Sequence, residues 1–211
     1  MTDIPLLPEG EARVTATAKT VFGRQKLISP AKLGHIFVSP RQRARQTLNL
    51  LFEADGGSAV NGVMPDGIVV EVTDDMAEWG YGDYEGKLTS EIRAMRKSQG
   101  LDRERPWDIW VDGCTGEGGE MPEEVAERLD RVIGRVREMQ GQAMREKKDC
   151  DVLVVAHGHI LRAFVKRWLG LPLGFGLDMM LEPGGVCGLS YQHGRVEEPA
   201  VLVGMSFPDG E

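Results

Sequence analysis

The run from Pro122 to Leu169 constrains the fold more than any other stretch of the chain. Val125, Leu129, Val132, Val136 and Met139 step by three or four, which predicts a long helix from Pro122 to about Lys148 with one buried face. Arg145, Lys147 and Lys148 fall in its last turn, where the helix dipole favours cations. Asp151–Ala156 (DVLVVA) follows, a short apolar run that reads as a strand buried on both faces. His157-Gly158 then opens a second helix to about Leu169, and Gly170 ends it. A helix, a two-sided strand and a helix in direct succession imply an α/β fold, a three-layer αβα sandwich around a mostly parallel sheet.

The rest of the chain fits that plan. Pro8 opens a first helix with Glu9 and Glu11 in its first turn, and Gly23 stands ready to end it. His35–Val38 (HIFV) is a short strand. Ser39 then reads as an N-cap with Pro40 at the first helical position, for a helix to about Phe52. Asp55–Gly67 is glycine-rich and reads as a loop, and Ile68–Val72 (IVVEV) as a β-branched strand. From Met76 to Gly119 the periodicity fades while Trp79, Tyr81, Tyr84, Trp107 and Trp110 crowd together, and DGCTGEGGE closes the region as a flexible loop. Two last strands, near Val186–Tyr191 and Pro199–Val203, are joined by a turn at residues 192–195, and FPDGE reads as a mobile tail. There is no internal repeat and no break in composition, so residues 1–211 are expected to form one domain with an insertion at about 76–120.

Charge and cysteine usage narrow the function classes. Twenty-five Lys and Arg against 33 Asp and Glu leave a net charge of −8, which argues against nucleic acid as the main partner. The longest apolar run is five residues, Val152–Ala156, too short for a membrane span of about 20. The acidic N-terminus MTDIPLLPEGE is unlike a signal peptide. Cys114, Cys150 and Cys187 are odd in number and widely spaced, which suits neither a disulfide framework nor a thiolate zinc site and points to a reducing cytoplasm. The oligomeric state is open, with a homo-oligomer compatible with everything above.

Ligands of open α/β sheets bind at the carboxyl ends of strands, where helix N-termini point. Two segments place polar groups there. VVAHGH puts His157 directly after the apolar strand, with Gly158 permitting close backbone approach, and VSPRQRARQT puts Arg43 in the first turn of the helix after HIFV. Singly, His157 reads as a polar cap, and Arg43, with Arg41 and Arg45, as a solvated helix face. Together at one sheet edge they make an anion site that suits a phosphate monoester. Glu78, among aromatic residues in AEWGYGDYEG, gains general-acid character if it is partly buried, whereas Asp83 and Glu85 read as surface acids. Lys97, Arg103 and Arg105 are candidates for a second anionic group, with a solvated face as the competing reading. His157 and His159 form a His-x-His pair, but the chain has four histidines and no further ligand cluster, so a zinc site is disfavoured and neither metal nor cofactor is expected. Neither a phosphate-binding Gly-x-x-x-x-Gly-Lys loop nor a Gly-x-Ser-x-Gly nucleophile elbow occurs.

TDIPLLPEGE, VSPRQRARQT, EWGYGDYEG, LDRERPWDIWVDG, VVAHGHILR, GGVCGLSY and EEPAVLVG together resemble the histidine phosphatase superfamily, of phosphoglycerate mutase-like fold. The run from EWGYGDYEG through RPWDIWVDG looks most like its sedoheptulose-1,7-bisphosphatase branch. The resemblance implies metal-independent hydrolysis of a small sugar phosphate through a phosphohistidine, or the closely related mutase reaction. By position His157 matches the second, phosphoryl-binding His, Arg43 the helix Arg and Glu78 the proton donor. The family's nucleophile lies in an Arg-His-Gly triplet on a first central strand upstream of TDIPLLPEGE, and this sequence holds no such triplet. The expectation is therefore a fold whose first central strand is absent, an N-terminally shortened version of a competent enzyme, with a non-catalytic phosphate binder as the alternative.

Overall fold

A computed structural model describes residues 3–57 and 68–204. Most of the glycine-rich loop expected at 55–67, and the tail FPDGE, lie outside the described residues. In chain order the elements are α1 (Pro8–Val21), β1 (Leu33–Val38), α2 (Gln42–Glu53), β2 (Val69–Val72), α3 (Thr89–Ser98), α4 (Ile109–Asp112), α5 (Pro122–Glu146), β3 (Asp151–Val155), α6 (Gly158–Trp168), β4 (Leu189–Tyr191) and β5 (Pro199–Val201).

β1, β2 and β3 form a parallel sheet in the order β2-β1-β3, with Val38 opposite Val72 on one side and Val155 on the other. Alternation along the strands feeds two cores. Ile36, Val38, Leu153 and Val155 point to the layer of α1 and α2, where Ala18, Phe22, Leu48 and Phe52 close over them. Phe37, Val152 and Val154 point to the layer of α5 and α6, against Val125, Leu129, Val132, Ile160 and Phe164. The result is the expected parallel-sheet α/β fold with helices on both faces. β4 and β5 pair antiparallel in a small separate sheet, turned through residues 192–194 as the sequence suggests.

Three expectations need correction. β1, not β3, is the strand buried on both faces. Val152, Leu153 and Val154 are only half-buried, because β3 is an edge of the described sheet. Helix α2 starts at Gln42 rather than Pro40, and Ser39 does not cap it; the Ser39 N–H extends the sheet ladder to the Val155 carbonyl, and its hydroxyl is taken by His157. The loop DGCTGEGGE is tightly bonded rather than flexible. Cys114 N–H donates to Glu120 O, Glu120 N–H to Gly80 O and Asp83 N–H to Thr115 O. A glycine facing the loop serves close approach: a Cβ at Gly82, where φ is 51°, would collide with the Thr115 carbonyl. Region 76–120 also carries ordered structure in α3 and α4, and it contributes Met76, Trp79, Tyr84 and Trp107 to the core beneath α5 and α6.

Candidate active site

Because Val38 and Val155 end side by side, the segments that follow them emerge together at the carboxyl edge of the sheet. One supplies Ser39, Arg41 and Arg43, the other His157. Arg43 Nε donates to His157 Nδ1 at 3.0 Å. Since Nδ1 accepts, the hydrogen-bond network assigns the imidazole proton to Nε2, which donates to Ser39 Oγ at 2.7 Å. Ser39 is fully buried and His157 nearly so. Burial drives the His157 pKa down to about 4; Glu78 opposes that shift, and Arg43 and Arg41 reinforce it. The ring is therefore neutral at neutral pH. Arg41, at the N-cap position of α2, leaves a buried Nε that meets no hydrogen-bond acceptor among the described residues. A buried guanidinium N–H without a partner beside a second arginine is a donor available to an anion.

The opposite wall carries Glu78, which is 8% exposed. Its Oε1 accepts the N–H groups of Trp79 and Ile160, each at 3.0 Å, and Oε2 that of His159 at 3.4 Å. The carboxylate thus sits on the first turn of α6, where the helix dipole favours an anion. The loop that bears it is clamped by an ion pair between the buried Arg128 and the half-buried Glu120. Arg128 reaches both oxygens of Glu120 at 2.8 and 3.0 Å and donates to the carbonyls of Asp75 and Ala77. Glu120 in turn accepts Gly80 N–H at 2.7 Å, and its carbonyl accepts the Trp79 indole N–H.

The structure brings Arg43, His157, Gly158 and Glu78 to one sheet edge. It does not bring Lys97, Arg103 and Arg105 into that hydrogen-bond network. Lys97 is exposed on α3, Arg103 donates to Gly100 O, and Arg105 is held bidentate by Asp112 at 2.7 Å. His157 and His159 do not converge as a ligand pair: the His159 ring turns away to Tyr81 and Trp110. Sequence reasoning missed Ser39 and Arg41. Ser39 carries a signal, since a hydroxyl after one strand and a histidine after its neighbour in the sheet end at the same height; the pairing of the two strands is what the sequence withholds. Arg41 is one of three closely spaced arginines, and nothing local separates the two inward ones from the exposed Arg45.

The family model of the histidine phosphatase superfamily (branch 1) matches residues 1–201. Sedoheptulose 1,7-bisphosphatase of Saccharomyces cerevisiae is 36% identical over 98% of this chain and 86% of its own. An acid phosphatase of Mycobacterium tuberculosis is 32% identical over 95% and 81%. A solved structure from Mycobacterium tuberculosis superimposes with a TM-score of 0.68 at 27% identity, over 96% of this chain and 84% of that one.

Proposed function

The chain belongs to the histidine phosphatase superfamily (branch 1), and on that premise we propose that it is a phosphoric monoester hydrolase of sugar phosphates of the sedoheptulose-1,7-bisphosphate type. The observation that carries the reading is the Arg43–His157 pair at the carboxyl edge of the sheet, with Arg41 and Glu78 beside it. Arg43, His157 and the backbone at Gly158 bind the phosphoryl oxygens, where charge builds in the transition state. Glu78 in its protonated form gives its proton to the ester oxygen as the P–O bond breaks, and the resulting carboxylate takes a proton back from the water that completes the reaction. In the phosphohistidine route, a histidine nitrogen forms a P–N bond in the first step and water displaces it in the second, returning inorganic phosphate without a metal. The nucleophile that the resemblance implies sits in an Arg-His-Gly triplet, which these 211 residues do not hold. For the distal anionic group of a bisphosphate, Lys97, Arg103 and Arg105 are candidate cations, of which Arg105 would have to leave Asp112. The reducing cytoplasm is the compartment that three free cysteines suit. Among the described residues, no helix is long and apolar enough to cross a membrane.

The buried Arg41 Nε, without an acceptor among the described residues and beside Arg43, favours one second reading, a binder of phosphorylated ligands that does not hydrolyse them. Phosphate release from sedoheptulose 1,7-bisphosphate, measured with and without a metal chelator, separates the two. Release that persists in chelator and disappears in His157→Ala supports the hydrolase. Tight binding without release supports the binder. A folded chain that neither binds nor hydrolyses the bisphosphate contradicts both.

A further inference from the structure

A cavity of about 240 Å³ opens beside His159, lined by Tyr81, Tyr84, Lys87, Trp107, Ile109 and His159. Its walls are aromatic, but its inner end is polar. His159 Nδ1 lies 2.8 Å from the Tyr81 hydroxyl. Burial raises the Tyr81 pKa and lowers that of His159, so the hydroxyl keeps its proton and the imidazole is neutral. Tyr81 is then the donor and His159 Nδ1 the acceptor, which leaves the His159 proton on Nε2 with no partner among the described residues. The Trp110 ring, 5.6 Å away, fixes the imidazole further.

The order of groups gives the cavity its meaning. Glu78 is bonded to the N–H groups of His159 and Ile160, and its charge acts on both His157 and His159, so the acid lies close to both imidazoles. An ester oxygen that takes its proton from Glu78 while its phosphorus is held at Arg43 and His157 leaves its carbon chain free to extend toward the neighbouring His159. We propose that this cavity is the leaving-alcohol subsite and that His159, held by Tyr81, determines specificity by donating Nε2–H to a hydroxyl of a polyol chain. The inference rests on the phosphatase reading. The C–H faces of a sugar suit Tyr84 and Trp107, and a neutral donor locked by a second hydrogen bond suits a hydroxyl better than a second phosphate.

The test is calorimetric titration of the full chain with inorganic phosphate and with sedoheptulose 1,7-bisphosphate, in the wild type, His159→Phe and Thr89→Trp. Thr89 lies exposed on the cavity rim, so a large side chain there fills the cavity without entering a packed core. The quantity read is the ratio of the two dissociation constants, which cancels any change at the phosphate-binding end. The wild type is expected to prefer the bisphosphate, and each variant to lose about tenfold of that preference, the size of one lost hydrogen bond or its steric equivalent. An unchanged ratio in both variants overturns the proposal. A fall in Thr89→Trp alone overturns the role of His159. A wild type that binds phosphate but shows no preference overturns the subsite and leaves the phosphatase reading intact, whereas binding of neither ligand removes both.

Discussion

The two walls of the site are built in opposite ways. On the Glu78 wall the polar groups are closely paired: the carboxylate accepts three N–H groups, and Arg128 and Glu120 tie the loop to α5 through two carbonyls, an amide and each other. On the Arg43 wall, a neutral imidazole is held by Ser39 and Arg43 while the buried Nε of Arg41 has nothing to bond among the described residues. A buried donor without an acceptor costs on the order of 1–3 kcal/mol, a cost the fold bears where a ligand removes it. The comparison teaches which wall is scaffold and which is receptor. The acid is positioned by the protein, whereas the cationic wall is completed by an anion.

Substitutions on each wall sharpen or break that contrast. The largest effect is expected at Glu78. Glu78→Gln should slow hydrolysis of sugar phosphates by roughly 10²–10⁴-fold and aryl phosphates far less, because a good leaving group needs little proton transfer. Equal slowing of both substrates removes its role as acid. Arg128→Met should cost about 1–3 kcal/mol in urea unfolding, because it leaves the Asp75 and Ala77 carbonyls and the half-buried Glu120 carboxylate without their partner. A wild-type midpoint shows that the loop does not depend on the clamp.

Acid should weaken the receptor wall next. His157 binds a proton only near pH 4 in the folded chain but near 6.5 when unfolded, so between those values the unfolded state holds more protons. Its contribution is complete above pH 6.5 and is lost as pH falls toward 4, by about 1–3 kcal/mol. His157→Gln should flatten that part of the stability profile, and an unchanged slope contradicts the buried neutral ring. The smallest effect is expected at Arg41. Arg41→Met should weaken inorganic phosphate binding about tenfold, as for one lost charge-assisted bond, with no loss in the urea midpoint. Destabilisation with unchanged affinity reverses the assignment of that residue.

How much of this was legible in the sequence follows from how local each signal is. Helix α5 and strand β3 lie within two residues of their expected bounds, because the spacing of Val125, Leu129 and Val132 and the run of Val152–Ala156 are local facts. The pairing of His157 with Arg43 follows from adjacency of strands β1 and β3; the sequence puts both segments at one sheet edge but does not show that their strands are neighbours. The Arg128–Glu120 clamp was not legible. An arginine inside an amphipathic helix looks like any surface charge until the loop it anchors is seen, and the glycines at 80, 82 and 119 look like disorder until the two backbones they bring together are placed. The depth of β3 was misread for a related reason, since the strand order that makes it an edge is a property of the whole sheet.

The central claim is that a phosphoryl group sits between Arg43 and His157. Titration of the folded chain with inorganic phosphate, followed by phosphorus NMR and repeated with His157→Ala and Arg43→Met, tests it most directly. The account predicts saturation at one phosphate per chain and a loss of at least about tenfold in affinity in each variant. Binding of equal strength in all three proteins, or none in the wild type, would contradict it.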